Sequence, residues 1–128
     1  MIGYSGIQIA LQSIWPDLNQ IWCFDKEYVA VTSHEVTTFL NDGGWFPISE
    51  IEATNPDCDD FAVQQFAKVK RHFNWPFGEV FASKIHGWSV LHSLNICICQ
   101  DGVILIDPKP HMIWQPDITK DNVIWARF

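Results

Sequence analysis

The sequence predicts an α+β fold, and three observations lead to that prediction. A long amphipathic helix pattern lies near the middle of the chain, a β-hairpin pattern follows it, and the length of 128 residues suits one hydrophobic core. Hydrophobic residues make up 48% of the chain and charged residues 18%, which is typical of a compact chain and not of a disordered one. No repeat or linker divides the sequence, so we expect residues 1–128 to form a single domain.

Short elements are expected in the first third of the chain. Apolar positions between residues 6 and 15 are weakly helical, and a proline ends that segment. Residues 20–33 mix aromatic and β-branched residues, which predicts one or two short strands. Thr32 and Glu35 then form a capping-box pattern, which predicts a short helix that the glycines of "NDGG" end.

The helix predicted over residues 57–73 has the clearest pattern in the sequence. Its apolar positions fall on one helical stripe, made of Cys58, Phe61, Ala62, Phe66, Val69 and Phe73. Asn55 or Asp57 supplies the N-cap, and Pro56 is tolerated in the first turn. We therefore expect Cys58 in the first turn of this helix, on the side that faces the core.

A β-hairpin is predicted over "WSVLHSLNICICQDGVILIDPKP". Its two apolar, β-branched runs flank the Asp-Gly pair at 101–102, which favours a two-residue turn at those positions. That turn pairs Ile96 with Asp107 and leaves Asp107 roughly 13 Å along the sheet from His92, unless a bulge or strong coiling shifts the strands. One further strand is expected at the end of the chain, over "NVIWARF".

Composition excludes several classes of function. The net charge is −7 and the eight Lys and Arg are mostly scattered, so the basic footprint of a nucleic-acid-binding protein is missing. The sequence has no signal-peptide pattern and no apolar run long enough to cross a membrane. The four cysteines show no C-x-x-C spacing, and Cys97 and Cys99 are poorly spaced for a disulfide, so we expect reduced thiols and a cytoplasmic location.

Cys58 is set among acids at the start of the predicted helix, in "NPDCDDFA". The helix dipole and the free N–H groups of a first turn favour a thiolate, and the same N–H groups can stabilise an oxyanion. Asp57, Asp59 and Asp60 oppose the thiolate, so a reactive thiol here needs a counter-cation, either an imidazolium or a metal ion. The alternative is a small core cysteine that happens to begin a helix whose acids only complement the dipole.

His92 is the candidate imidazolium. Strand alternation places it on an apolar face, so we expect it to point toward the core that Cys58 also faces. Asp107, at the end of the partner strand, would orient its ring, which gives the Cys-His-Asp arrangement of nucleophilic acyl transfer. His86 is a rival base, His111 is expected directly opposite His92 as a second partner of its ring, and His92 alone is compatible with a hydrogen-bonded core histidine.

Three motifs carry a resemblance to a known superfamily. "DCDDFA" at 57–62, "HSLN" at 92–95 and "LIDP" at 105–108 resemble the papain-like and transglutaminase-like cysteine peptidases. The chain looks similar to two calcium-dependent branches, the bacterial transglutaminase-like cysteine proteinases and the C-terminal peptidase domain of the Marasmius-type mushroom agglutinin. The resemblance implies a helix that carries the cysteine and packs on an antiparallel sheet.

The resemblance also implies the roles of individual residues. Cys58 would be the nucleophile, His92 the general base and Asp107 the orienting acid of a thiol-dependent hydrolase that acts on protein or peptide substrates. In the bacterial branch the acids beside the cysteine hold calcium, which implies a Ca²⁺ site at Asp57 and Asp59.

The sequence departs from the papain-like pattern at one point and leaves other functions open. It has no clear equivalent of the glutamine that lines the oxyanion hole of papain-like enzymes, and Asn55 is the nearest amide. One alternative is a non-catalytic binding or assembly module, of phage origin for example, that retains the fold. Another is glutamine deamidation or amide transfer by the same three residues.

Overall fold

The structure is a computed structural model that describes residues 1–47 and 57–128. Its helices are α1 (Tyr4–Gln12), α2 (Ser33–Phe39) and α3 (Cys58–His72), and a wide π-type turn (Leu40–Gly44) follows α2. Its strands are β1 (Ile2–Gly3), β2 (Ile21–Trp22), β3 (Glu27–Tyr28), β4 (Phe77–Ile85), β5 (Trp88–Cys99), β6 (Gly102–Asp107), β7 (Met112–Trp114) and β8 (Asn122–Arg127). The α+β class predicted from the sequence is confirmed. No helix in the described ranges has both the length and the apolar composition of a membrane span.

Six of the strands form one sheet in the order β2-β8-β4-β5-β6-β7, and β1 pairs with β3 separately. The sheet is antiparallel except where β2 runs parallel to β8. The predicted hairpin, β5 and β6, therefore lies in the middle of the sheet, and β4 and β7 add to the strands that the sequence predicted. Strand β5 is the longest strand and pairs with a neighbour on each side, and it carries His92.

Helices cover both faces of this sheet and create two separate hydrophobic cores. On one face, Leu94 and Ile96 of β5 pack with Leu11 of α1. On the other face, Cys97 packs with Val69 of α3 and with residues of α2. The helix that begins at Cys58 thus packs on a mainly antiparallel sheet, as the sequence predicted.

The prediction that His92 and Cys58 face one core is wrong. Alternation along β5 puts His92 on the same face as Leu94, which is the face that α1 covers. Helix α3, which carries Cys58, packs on the opposite face. The two residues can therefore approach each other only around an edge of β5.

Both predicted helix starts are formed by hydrogen bonds between side chains and backbone. In α2, the Glu35 N–H donates to Thr32 Oγ1 and the Thr32 N–H donates to Glu35 Oε1, each at 3.1 Å, which is the predicted capping box. In α3, Asp57 is the N-cap residue, and its N–H donates to Asp60 Oδ2 at 3.0 Å. Asn55, the other N-cap candidate, lies outside the described residues, as does Pro56.

The β5–β6 hairpin turns one residue earlier than predicted. Cys99 pairs with Gly102, so Gln100 and Asp101 are the two loop residues. The Asp101 carboxylate accepts hydrogen bonds from the backbone N–H and the hydroxyl of Ser33 at the start of α2, which hold it in the loop. Gly102 begins β6 with a φ of 134°, a conformation that favours glycine. This one-residue difference changes the register of the whole hairpin.

Candidate active site

Cys58, His92 and Asp107 come from three elements that meet where β6 leaves the sheet. Cys58 is the first residue of α3, His92 lies in β5, and Asp107 is the last residue of β6. Strand β6 ends there because the next residue, Pro108, has no N–H to continue the ladder. Strand β5 extends beyond this point, so within the described residues no β6 residue pairs with β5 at His92 and its neighbours.

The corrected register brings Asp107 close to His92. Ile96 pairs with Leu105 and not with Asp107, so Asp107 lies opposite Leu94. That position is two residues from His92, which corresponds to about 7 Å along the strand and is within the span of an imidazole side chain and a carboxylate. The predicted separation of roughly 13 Å is therefore wrong, and neither a bulge nor extra coiling between β5 and β6 is needed to close the pair.

His92 and Asp107 form a hydrogen-bonded pair. His92 Nε2 lies 2.8 Å from Asp107 Oδ2, and because a carboxylate only accepts, Nε2 carries the proton. The other carboxylate oxygen, Oδ1, accepts the N–H of Lys109 at 3.3 Å, so both oxygens of Asp107 are held. The side chains of His92 and Asp107 are 22% and 14% exposed, which leaves the ring shielded but reachable. Nδ1 of His92 is the ring nitrogen left for chemistry.

Cys58 is held beside this pair by the backbone of β5. The N–H of Ser93 points toward the side of β5 where β6 has ended, and it donates to Cys58 Sγ at 3.4 Å. An N–H donor in this position lowers the energy of a negatively charged sulfur. Since Ser93 directly follows His92, the sulfur lies next to the residue whose ring Asp107 orients. Cys58 itself is half-buried.

The three predicted residues are brought together to different degrees. His92 and Asp107 are directly bonded, whereas no hydrogen bond joins Cys58 to His92 in the part of the chain that the structure describes. Sequence reasoning did not identify the Ser93 N–H, which is a backbone group. The signal that could have located it is Pro108, since a proline at that place predicts the end of β6 and an unpaired N–H across from it.

Two side chains of the β6–β7 turn, Lys109 and His111, contact aromatic rings elsewhere in the chain. Lys109 Nζ lies 5.5 Å from the centre of the Phe61 ring, which places the β6–β7 turn against the first turn of the helix. His111 stacks on Trp45 with ring centroids 4.5 Å apart. The prediction that His111 stands opposite His92 in the hairpin is therefore wrong.

The acids beside Cys58 form a compact cluster. Carboxylate oxygens of Asp57, Asp59 and Asp60 all lie within 4.8 Å of one another, and Asp57 and Asp59 are exposed. Such oxygens are the ligands that Ca²⁺ prefers, so the donor set fits that ion, although one oxygen of Asp60 already accepts the Asp57 N–H. The Ca²⁺ site at Asp57 and Asp59 stays a prediction. Asn55, the nearest amide for an oxyanion hole, lies outside the described residues.

The remaining thiols are in settings that suppress reactivity. Burial raises the pKa of the Cys97 thiol well above its ordinary value, and burial also raises the pKa of Cys23. Cys99 is buried in the same core as Cys97. A thiol that stays protonated is a poor nucleophile, so Cys58 is the candidate nucleophile among the four cysteines.

Comparison with known proteins adds no assignment to this geometry. A scan against models of known protein families and a search of curated proteins both find no match to the chain. The chemistry of the site itself is therefore the basis for a function.

Proposed function

We propose that the protein is a thiol-dependent hydrolase of amide bonds in peptides, with Cys58 as nucleophile, His92 as general base and acid, and Asp107 as the residue that orients His92. The observation that carries the proposal is the bonded His92–Asp107 pair next to a thiol at a helix start. The order of these residues along the chain, on a helix packed against a mainly antiparallel sheet, also supports a papain-like or transglutaminase-like fold.

The proposed reaction has two stages. Cys58 Sγ attacks the carbonyl carbon, and the thiol proton goes to His92 Nδ1 while Asp107 holds the ring through Nε2. N–H groups in the first turn of α3 face the oxyanion that forms. The C–N bond then breaks, the amine leaves with the proton from His92, and water hydrolyses the thioester to release the acid and restore the thiol.

One movement is required before the first stage. Cys58 Sγ accepts the Ser93 N–H and has no bond to His92 in the described part of the chain, so the ring has to turn toward the sulfur. Catalytic hydrogen bonds commonly tighten only when substrate binds. Among the described residues no β6 residue pairs with β5 at His92, so we expect the ring to turn on the side where β6 has ended.

The test is the alkylation of Cys58 by iodoacetamide at different pH values, read by mass spectrometry of the peptide that contains it. We expect Cys58 of wild type to react faster than the thiol of a free cysteine, and His92→Ala to lose that excess rate. His86→Asn is the matched control and is expected to react like wild type. A Cys58 that reacts like a free cysteine in all three proteins would contradict the proposal.

Calcium is a secondary part of the proposal. An ion held by Asp57 and Asp59 would supply positive charge beside Cys58 and offset the nearby carboxylates. We expect Ca²⁺ to raise the alkylation rate of Cys58 in wild type and to have no effect in Asp59→Asn. Equal rates with Ca²⁺ and with a chelator in wild type would remove calcium from the proposal without affecting the roles of Cys58 and His92.

A second candidate function is a binding or assembly module without catalysis. The lack of a hydrogen bond between Cys58 and His92 in the described part of the chain favours it, because a catalytic thiol needs its base within reach. An inert Cys58 in the alkylation test would support this alternative. Glutamine deamidation or amide transfer uses the same steps on a side-chain amide, and release of ammonia without cleavage of the main chain would identify it.

A further inference from the structure

Three aromatic side chains, Phe81, Trp125 and Trp22, form a row that crosses the sheet. Phe81 of β4 stacks against Trp125 of β8 with ring centroids 6.1 Å apart, and Trp125 meets Trp22 of β2 edge-on at 6.3 Å. Trp22 is 50% exposed, and Phe81 and Trp125 are half-buried. Adjoining large rings at a protein surface are a common mark of a binding site. We call these three residues the aromatic row.

The aromatic row begins beside the candidate active site. Phe81 pairs directly with Ser93, whose N–H donates to Cys58 Sγ at 3.4 Å, and Trp125 pairs with Phe81. Neighbouring strands are about 4.8 Å apart, so Phe81 stands one strand from Ser93, whereas the sulfur lies on the other side of β5, to which the Ser93 N–H points. From there the row runs away from Cys58 toward the β2 edge of the sheet.

The aromatic row also lies on the same face of the sheet as the cysteine helix. Asn95, two residues from Ser93 on β5, donates to Ala62 O of α3 at 2.9 Å, which identifies the face that α3 covers. Ser93 and Phe81 share that face, since residues two apart and residues directly paired point the same way. Helix α3 packs over β5 and β4, so the part of the face formed by β8 and β2 is left to the aromatic row.

The chemistry of the aromatic row favours apolar groups. Arg127 lies over Trp125, with its guanidinium carbon 5.8 Å from the ring centre, and its Nε donates to Glu79 Oε1 at 2.6 Å, so its charge is paired. A cavity of about 380 Å³ at the far end is lined by Gln20, Trp22, Phe24, Trp125 and Arg127. A sugar platform needs several polar groups, both donors and acceptors, for the hydroxyls, whereas the side chains of this lining offer one amide, two indole N–H donors and one paired guanidinium, with no carboxylate or hydroxyl.

We propose that the aromatic row is the floor of a substrate cleft that binds apolar side chains of an extended polypeptide and presents its amide bond to Cys58. This inference rests on the proposed function and adds the class of substrate. The row runs from Phe81 on β4 to Trp22 on β2, which is two strand spacings or about 10 Å, and this length accommodates about three residues of extended peptide at roughly 3.3 Å each. Aromatic, aliphatic and proline side chains at those residues would contact the rings.

The experiment uses a Cys58→Ala protein, which binds without turnover, and an immobilised hexapeptide library in which one position at a time is fixed. We expect retention of peptides with aromatic, aliphatic or proline residues at neighbouring positions. The peptide retained best is then labelled, and its affinity is measured by fluorescence anisotropy. On that background Trp125→Ala should weaken binding about five- to tenfold, as the loss of one ring contact predicts.

Two further variants separate binding from folding. Trp22→Ala changes a ring that is already 50% exposed and should weaken binding by a smaller factor without affecting the fold. Trp88→Ala is the matched control, because Trp88 is 75% exposed at the β4–β5 turn and lies outside the aromatic row, and it should bind like the parent protein. Circular dichroism of each variant checks that the fold is retained.

The outcomes distinguish this inference from the proposed function. Retention without any apolar preference, or equal affinity in the parent, Trp125→Ala and Trp22→Ala proteins, would overturn the cleft even if Cys58 proves reactive. Apolar preference that depends on Trp125, together with an inert Cys58 in wild type, would support the cleft as a peptide-binding surface and remove the hydrolase.

Discussion

Two histidine–aspartate pairs flank β5, and they are joined through different atoms. At the end of β6, His92 contributes a ring nitrogen, which lies 2.8 Å from Asp107. At the turn between β4 and β5, His86 contributes its backbone N–H, which donates to Asp121 Oδ1 at 3.0 Å. A histidine and an aspartate therefore make two different structures. In the first pair the carboxylate binds the imidazole ring, and in the second it binds the backbone.

The His86–Asp121 pair closes a turn. Asp121 is 1% exposed, and its second oxygen accepts Trp114 Nε1–H and the Asp117 N–H at 3.3 and 3.0 Å. His86 has a positive φ of 52°, as one residue of a tight turn, and its ring packs on Trp114 with centroids 4.3 Å apart. The donors to this buried carboxylate are the backbone N–H groups of His86 and Asp117 and the indole N–H of Trp114, so Asp121 organises the turn and the imidazole ring of His86 is not among its partners.

The His92–Asp107 pair has the opposite arrangement. Asp107 holds the ring of His92 and the N–H of Lys109, and within the described residues the second nitrogen of the ring makes no hydrogen bond. This difference favours His92 over His86 as the base. It also predicts that damage to the first pair affects activity, whereas damage to the second affects stability.

The largest expected effect is that of His92→Ala on hydrolysis. Loss of the general base should lower kcat/KM for a fluorogenic peptide substrate by a factor of about 10² to 10⁴ while the fold is retained. His86→Asn is the matched change in the other pair, since asparagine tolerates a positive φ and keeps the backbone N–H. It should leave kcat/KM within about twofold, because the ring of His86 performs no step. Equal losses of kcat/KM in His92→Ala and His86→Asn would show that His92 is not the general base.

Asp107→Asn should have the next largest effect on the same assay. The amide oxygen can still accept the Nε2–H of His92, so the ring keeps its orientation but loses the negative charge that stabilises its protonated form. We expect the variant to retain about 10²-fold more activity than His92→Ala. The pH profile of kcat/KM is the second readout, and it should shift in Asp107→Asn but not in His86→Asn. An unchanged profile would mean that Asp107 only packs against the ring.

Periodicity alone predicted the elements of the site but not how they meet. The stripe of apolar residues predicted a helix over 57–73, and α3 spans Cys58–His72. The same pattern could not show which face of the sheet α3 covers, because helices lie on both faces. The wrong assignment of His92 and Cys58 to one core follows from that ambiguity.

The register of the hairpin depended on a contact distant in sequence. Local propensity favours the Asp-Gly pair as the two loop residues, but Gln100 and Asp101 occupy the loop. Asp101 is bonded there to Ser33, 68 residues earlier in the chain, and no local pattern predicts that contact. The buried carboxylate of Asp121 likewise accepts hydrogen bonds from Trp114, Asp117 and the distant His86. Its role in holding the β4–β5 turn could therefore not be predicted from local sequence patterns.

Asp121→Ala should give the largest loss of stability. Removal of this buried carboxylate leaves three N–H donors in partly buried positions without their partner, which should lower the free energy of unfolding by about 3 kcal/mol. Urea denaturation followed by circular dichroism measures this change. Asp107→Asn is the matched control, and its loss should be below about 1 kcal/mol because the amide replaces the carboxylate in a partly exposed pair. A larger loss for Asp107→Asn than for Asp121→Ala would reverse the structural roles of the two pairs.

The smallest expected effect is on the pH dependence of stability and concerns Asp101, a carboxylate that is bonded to Ser33 and not to a histidine. The hydroxyl and the N–H of Ser33 hold the pKa of Asp101 below its ordinary value of 3.8. Because the folded chain then binds this proton less readily than the unfolded chain, Asp101 stabilises the fold above about pH 3.8, and that stabilisation disappears as the pH falls below it. Asp101→Asn cannot ionise, so its stability should fall less steeply than that of wild type in urea titrations between about pH 4 and pH 2. Ser33→Ala removes the donor hydroxyl and should flatten the same curve. Parallel curves of stability against pH in all three proteins would mean that the contact between Ser33 and Asp101 does not depend on the charge of Asp101. That contact holds Asp101 in the hairpin loop, which places Asp107 close to His92.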